Sequence, residues 1–157
     1  MVGQAYSETV LEHYARPRNL GRLPGASGLG VAGSLLDGPV QITIAIRVER
    51  DGTGEERVVA ARFRAFGCSA AIASSSMATV LIEGRPVREA AALTPEAIVA
   101  ALGGLPEERL YAPALAAEAV RKAIADCGLR IADLGTEEAS GIPVAFGNPQ
   151  SEIRNPQ

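Results

Sequence analysis

The stretch ARFRAFGCSAAIASSS, residues 61–76, decides the fold of this chain. Its first half alternates apolar and charged side chains, which predicts a β-strand with one buried face. Its second half, after Gly67, is a run of small uncharged residues, which predicts a buried helix that continues to Ile82 and is closed by Gly84. Cys68 stands at the junction, directly after the strand and at the start of the helix.

A second strand with the same period of two lies upstream of this stretch. The segment Asp51-Gly52-Thr53-Gly54 between the two strands has the composition of a turn. The pattern therefore predicts an antiparallel hairpin with one buried face. The apolar positions that alternate along the two strands are Ile42, Ile44, Ile46, Val48, Val59, Ala61, Phe63 and Ala65.

Capping residues predict three further helices. Ser7 is a good N-cap for the first, and Pro17 ends it because the residue before a proline avoids the helical region. Thr94 followed by Pro95 is typical of a helix start. The predicted helices run from Ser7 to Ala15 or Arg16, from Thr94 to Gly103-Gly104, and from near Pro113 to about Asp126.

Two segments lack a clear pattern of helix or strand. Residues 21–39 are rich in glycine and predict a loop, with a short edge strand as the alternative; a site-bearing loop and a plain linker are equally compatible with their composition. Residues 131–157 have little apolar content and are predicted to form a largely disordered C-terminal extension. A single domain is expected over residues 1–130.

Composition and charge exclude several classes of function. The net charge is −3 and no basic run is present, so a nucleic-acid partner is not expected. No apolar run reaches the roughly 18–20 residues of a membrane span, and the N-terminus lacks a secretion signal. We therefore expect a cytoplasmic protein with no membrane partner and two reduced cysteines.

Cys68 is the residue with the clearest chemical setting. Backbone N–H groups and the helix dipole at a helix N-terminus favour the thiolate, which is the form that binds metal or attacks sulfur. A structural cysteine in a packed surface of small residues is the equally weighted alternative. Cys127 lies on an apolar helix stripe and is interpreted as a core residue. His13, the only histidine, is interpreted as a packing or hydrogen-bonding residue.

No enzyme is predicted, because the sequence contains no CxxC, HExxH, GxSxG or Walker-type motif and no catalytic pair. Three stretches, however, carry a family resemblance in a fixed order. They are YSETVLEHYARPRNLG (residues 6–21), ARFRAFGCSAAIASSS (residues 61–76) and ALGGLPEERLY followed by APALAAEAVRKAIADC (residues 101–127). Together they resemble the IscU and NifU N-terminal family of iron–sulfur cluster assembly scaffolds.

The resemblance implies an α+β fold, with a small antiparallel sheet of about three strands covered on one face by helices. It also implies a [2Fe–2S] cluster or zinc held by three cysteines and a nearby aspartate. Cys68 matches the middle cysteine. The first is replaced by Leu36 or Asp37, depending on a shift of one residue, and the third, with a preceding histidine, by Tyr111-Ala112. The chaperone-recognition segment is altered to Leu105-Pro106-Glu107-Glu108-Arg109.

The expected function is that of a scaffold-like protein with Cys68 as cofactor and metal ligand and Asp37 as a second metal ligand. One cysteine and one aspartate are too few for a cluster in one subunit, so the cargo is bound weakly or shared in a homodimer. The resemblance implies a cysteine desulfurase and apo iron–sulfur proteins as partners. The alternative is a paralogue that binds no metal and acts as a protein-binding module for a desulfurase or a true scaffold.

Overall fold

A computed structural model of the protein shows a three-stranded antiparallel sheet with helices packed against its buried face, and the α+β class is thereby confirmed. The structure describes residues 6–36 and 38–135. The elements in chain order are α1 (Glu8–Ala15), β1 (Gly28–Gly33), β2 (Gln41–Arg50), β3 (Glu56–Phe66), α2 (Ser69–Ile82), α3 (Val87–Ala91), α4 (Pro95–Leu102), a 3-10 turn (Glu107–Arg109) and α5 (Tyr111–Gly135).

The sheet has the order β1-β2-β3, and its central strand carries the core. Ile44 on β2 lies opposite Gly30 on one side and Phe63 on the other. Ile44 and Phe63 are almost fully buried, and α2 and α5 pack over them together with small residues such as Ala71 and Ala116. Small helix residues let the helices approach the sheet closely, which explains a core with few aromatic side chains.

One predicted core position is wrong. Val59 is 40% exposed, whereas the preceding Val58 is fully buried. The cause is a β-bulge, because Arg47 pairs with Ala60 but the next residue, Val48, pairs with Val58. An extra residue in one strand reverses the side-chain alternation beyond it.

The glycine-rich segment contains the edge strand β1, so the strand alternative for this segment is correct. Two of its glycines face α5 across a very short gap. A Cβ atom at Gly28 would lie 2.2 Å from the carbonyl oxygen of Ala123, and one at Gly30 would lie 2.1 Å from that of Ala119. Any larger residue at these two positions would push α5 away from the sheet.

The predicted helix starts are confirmed by their caps. Ser7 Oγ accepts a hydrogen bond from the backbone N–H of Val10, and Thr94 Oγ1 accepts one from that of Ala97. The last helix is longer than predicted, since it begins at Tyr111 and continues to Gly135, beyond Asp126. The helix α3 and the 3-10 turn were not predicted because such short segments have no sustained apolar period.

The first five residues of the predicted C-terminal extension, 131–135, are helical and belong to α5, so disorder is wrong for them. Residues 136–157 lie outside the described residues, and their disorder stays a prediction. Within the part of the chain that the structure does describe, no helix has both the length and the apolar character needed to cross a bilayer.

Candidate functional site

Cys68 occupies the N-cap position of α2, directly after β3. Its carbonyl oxygen accepts hydrogen bonds from the backbone N–H groups of Ala71 and Ile72. The turn that brings the chain from strand to helix requires Gly67, which has φ 149° and whose Cβ, if present, would lie 2.9 Å from the side chain of Val40. The thiol is thereby held, half-buried, at the start of the helix.

Tyr111, the first residue of α5, brings its phenol to this thiol. Its Oη lies 3.1 Å from Cys68 Sγ, although 43 residues separate the two in the sequence. The Tyr111 side chain is 38% exposed, so the pair sits at the surface. The sulfur of Cys68 and the phenolic oxygen of Tyr111 therefore lie side by side, each at the N-terminus of its helix, α2 and α5.

Arg109 supplies a positive charge beside the pair. Its position is fixed by a hydrogen bond of 3.2 Å that Nε donates to Tyr6 Oη, which ties the 3-10 turn to the residue that precedes the first cap. The guanidinium is near enough to Cys68 and Tyr111 to favour the anionic form of each.

The pKa of the Cys68 thiol lies below its ordinary value. Burial acts to raise it, but the hydrogen bond from the Tyr111 phenol, backbone N–H groups at Ala71 and Ala70, and the Arg109 charge together lower it. The pKa of Tyr111 is raised, first because its proton is shared with Cys68 and then because of burial. Thiol and phenol are joined by one hydrogen bond, in which either atom can be the donor.

An open groove of about 400 Å³ runs beside Tyr111. Its walls come from the β1–β2 connection and from the first turns of α5. The lining residues are Gly33, Ser34, Gly38, Pro39, Val40, Tyr111 and Leu115.

Four large apolar side chains that neighbour the groove-lining segments or Cys68 in the sequence are exposed; we call Leu35, Leu36, Phe66 and Leu110 the apolar rim. Leu36 is 95% exposed and Phe66 54%. Leu35 and Leu36 belong to the connection that lines the groove, while Phe66 lies two residues before Cys68. Exposed large apolar side chains are candidates for contact with another protein.

The site residues predicted from sequence are only partly brought together. Cys68 is in place, whereas Asp37 lies outside the described residues, so its role as a metal ligand stays a prediction. The resemblance places Tyr111-Ala112 at the third cysteine and its preceding histidine. Tyr111 contacts Cys68, whereas Ala112 is fully buried. Among the described residues, no three His, Cys, Asp or Glu side chains are grouped closely enough to hold a metal ion.

The other two candidate side chains are structural, as interpreted from the sequence. Cys127 is 3% exposed and packs in the core. His13 is buried, and its Nδ1 lies 2.7 Å from Ser76 Oγ.

The contribution of Tyr111 was missed by sequence reasoning, which counted it only as a lost ligand. The sequence gives only the position of Tyr111, after the segment that forms the 3-10 turn. That position does not show the direction in which its phenol points. The contact with Cys68 depends on the packing of α5 against the sheet, which no local pattern encodes.

Comparisons with known proteins give a consistent result. The family model described as "NifU-like N terminal domain" matches residues 5–132. The chain is 41% identical over 121 residues to "Iron-sulfur cluster assembly scaffold protein IscU 1" of Archaeoglobus fulgidus, with 77% of this chain and 75% of that one covered. It is 36% identical over 148 residues to "Iron-sulfur cluster assembly scaffold protein IscU" of Aquifex aeolicus, with coverages of 94% and 90%.

Solved structures share the fold. The N-terminal part of a nitrogen-fixing NifU-like protein from Brucella abortus superimposes with a TM-score of 0.50 at 22% identity, covering 81% of this chain and 94% of that chain. A crystal structure described as a hypothetical protein gives a TM-score of 0.58 at 23% identity, with coverages of 74% and 94%. At these identities the two likenesses concern the fold alone.

Proposed function

Because the chain belongs to the NifU-like N-terminal domain family, we propose that it is a scaffold-type protein of iron–sulfur cluster assembly in which Cys68 is the residue that holds metal or accepts sulfur. The observation that carries the proposal is the setting of this thiol. Cys68 is half-buried at a helix start, with its pKa lowered by the phenol of Tyr111 and by backbone N–H groups. A thiolate is the form that acts as ligand or nucleophile.

The cargo does not fit one subunit in the arrangement that the family resemblance implies. A [2Fe–2S] cluster requires four protein ligands, and a structural tetrahedral zinc requires the same number. Cys68 is the one cysteine at the site, and the described residues offer no group of three His, Cys, Asp or Glu side chains around it. The proposal therefore includes weak binding, with Asp37 as a second ligand, or a site shared by two subunits that each contribute Cys68.

The relatives' names support the activity and name no partner, and the partner class rests on the family resemblance alone. We propose that a cysteine desulfurase supplies sulfur and that apo iron–sulfur proteins receive the product. The proposal places the protein in a reducing compartment such as the cytoplasm, where the thiol stays available. The apolar rim gives such partners a surface to contact next to Cys68.

Anaerobic reconstitution tests the proposal. The full chain is incubated with ferrous iron, cysteine and a cysteine desulfurase, and bound iron, sulfide and zinc are then measured. We expect Cys68→Ser to lose the bound metal. Cys127→Ala, which changes the other cysteine in the core, is the matched control and should keep it. Absence of bound iron and zinc in the wild-type chain, or retention of metal by Cys68→Ser, would overturn the proposal.

The shortage of ligands around Cys68 favours one second candidate, a protein-binding module that carries no metal. In that case the apolar rim would bind the desulfurase or a true scaffold without any cluster. Size-exclusion chromatography of the metal-free chain with a desulfurase distinguishes the two. A stable complex that forms equally with Cys68→Ser, together with no metal uptake, would favour the module.

A further inference from the structure

We propose that Tyr6 is a positioning residue that controls how large a reaction partner can reach Cys68. It acts on the connection between α4 and α5, residues 103–110, through a hydrogen bond with Arg109. The inference rests on the proposed function, in which Cys68 is the thiol that holds metal or accepts sulfur. It adds to that function a control of access from the N-terminal end of α1.

Tyr6 and Ser7, which we call the clasp, hold both ends of this connection. Ser7 Oγ donates a hydrogen bond to the carbonyl oxygen of Leu102, the last residue of α4. At the other end, Tyr6 Oη accepts a hydrogen bond of 3.2 Å from Nε of Arg109, the last residue of the 3-10 turn. Two adjacent residues thus bind positions that lie seven residues apart in the sequence.

The connection begins with two glycines that can serve as a hinge. Gly103 and Gly104 have φ values of 82° and 105°, in the left-handed region that favours glycine. A Cβ at Gly103 would lie 3.3 Å from that of Ser7, so the clasp packs directly on the first glycine. Pro106 is buried and anchors the middle of the connection. Small residues at the end of an element absorb changes of φ and ψ, and the closed position of the connection therefore depends on its contacts.

The connection leads directly to Tyr111, and its position sets the position of the phenol. Arg109 ends the 3-10 turn and Tyr111 begins α5, two residues further on. The phenol lies against Cys68, with 3.1 Å between Oη and Sγ. While the clasp holds the connection, the Tyr111 ring stands beside the half-buried sulfur and limits approach to it from this side.

Release of the clasp would uncover the sulfur without unfolding the protein. Tyr6 and Arg109 are both half-buried, so water can reach the two groups when their hydrogen bond breaks. The net effect of one hydrogen bond on such a local opening is roughly two- to tenfold. Small molecules reach Cys68 with the clasp closed, whereas a protein that delivers sulfur or metal to it requires the open form.

Two thiol reagents of different size test the proposal on the metal-free protein. N-ethylmaleimide and a maleimide on a long polyethylene glycol chain react by one chemistry, so the ratio of their rate constants does not depend on the fraction of thiolate. Peptide masses separate modified Cys68 from Cys127. Tyr6→Phe loses the phenolic oxygen and keeps the ring that packs on the core. We expect it to raise the ratio of the large to the small reagent by roughly two- to tenfold.

Arg109→Met removes the other partner of the hydrogen bond and should raise the ratio to the same extent. The variant with both changes should raise it no further than either change alone, because the same bond is lost in each case. Tyr14→Phe is the matched control, since it removes an exposed phenol from α1 and should leave the ratio unchanged.

Asp51→Ala separates release of the clasp from a general loss of stability. Asp51 accepts hydrogen bonds from the backbone N–H groups of Thr53 and Glu55, in the turn that precedes β3, whereas Cys68 follows the other end of this strand. The variant should be less stable in urea and should keep the wild-type ratio. Amide hydrogen exchange over residues 104–110 should become faster in Tyr6→Phe but not in Asp51→Ala.

The inference is overturned if either Tyr6→Phe or Arg109→Met keeps the wild-type ratio, or if Asp51→Ala raises it as much. If the ratio does not change while Cys68→Ser loses bound metal, the clasp is wrong and the proposed function stands. If the ratio rises as expected but the wild-type chain binds neither iron nor zinc, the proposed function fails and the clasp stands.

Discussion

His13 on α1 and Ser76 on α2 are joined by a buried contact of 2.7 Å between Nδ1 and Oγ. Ser76 Oγ also accepts a hydrogen bond from the backbone N–H of Arg18. The neutral imidazole of His13 completes this pair as acceptor or donor according to its tautomer. Burial and then the charge of Arg18 lower the pKa of His13, and these effects outweigh the opposing charge of Glu12.

Stability should consequently depend on pH through His13. Because its pKa in the folded state lies below the ordinary 6.5, the unfolded chain takes up this proton first. The contribution of neutral His13 is complete above about pH 6.5 and is lost as the pH falls through the folded-state pKa. We expect the free energy of unfolding to decrease between about pH 7.5 and 5.5 and to decrease less in His13→Gln. Urea unfolding at several pH values checks this; parallel curves for the two proteins would contradict it.

Gly30→Ala should destabilise the fold by displacing α5. The added Cβ would lie 2.1 Å from the backbone oxygen of Ala119, which cannot move without moving the helix. Overpacking of this kind costs about 1–3 kcal/mol. Gly52→Ala is the control, since a Cβ at Gly52 meets no atom within 4 Å. Its free energy of unfolding should stay within about 0.5 kcal/mol of the wild type. Equal stability of the two variants in urea would contradict the close contact of α5 with β1.

Ser7→Ala should cost more than loss of an ordinary helix cap. Ser7 Oγ caps α1 through Val10 and also donates a hydrogen bond to the carbonyl oxygen of Leu102 at the end of α4. Loss of the cap costs about 1 kcal/mol and loss of the second bond a further 0.5–1.5 kcal/mol, roughly. Thr94→Ala removes a cap with a single backbone bond, to Ala97, and serves as the comparison. Thermal and urea unfolding should rank Ser7→Ala as the less stable; the reverse order would argue against the link between α1 and α4.

Tyr111→Phe should raise the pKa of Cys68 in the metal-free protein. The phenol is the largest of the influences that lower this pKa, although burial, which raises it, is larger still. Rates of alkylation by iodoacetamide at a series of pH values measure the thiolate fraction. Tyr14→Phe should leave the profile unchanged. Cys127 is 3% exposed, and its slow reaction is subtracted with the Cys68→Ser variant. A profile unaffected by Tyr111→Phe would show that the hydrogen bond does not favour the thiolate.

Much of the fold follows from local patterns. The alternation at Ile42, Ile44 and Ile46 identified β2 because each of these side chains lies on the same buried face. The same reasoning placed Val59 wrongly, since a bulge depends on how two strands pair and not on either sequence alone. The strand β1 was predicted only as an alternative to a loop. The close approach of α5 requires glycine at positions 28 and 30, and glycine weakens the sequence pattern of a strand.

The candidate site divides in the same way. Cys68 was identified from the change of period at Gly67, which is a local signal. Tyr111 was not, because its contact with the sulfur joins the ends of two helices that are distant in the sequence. The missing ligands were recognised from the resemblance, but the contact of Tyr111 with Cys68 became visible only in three dimensions.

The seating of α5 on Gly28 and Gly30 has a consequence for how the chemistry of this protein can change. The helix is anchored along its middle, while Tyr111 projects from its first turn and is 38% exposed. The part of α5 that packs on the sheet and the turn that carries the phenol are thus separate. A single codon change at position 111 can exchange oxygen for nitrogen or sulfur beside Cys68 without loosening the anchor. In the laboratory, side chains at position 111 can therefore be compared at constant architecture, and in evolution the surroundings of Cys68 can change while the fold is preserved.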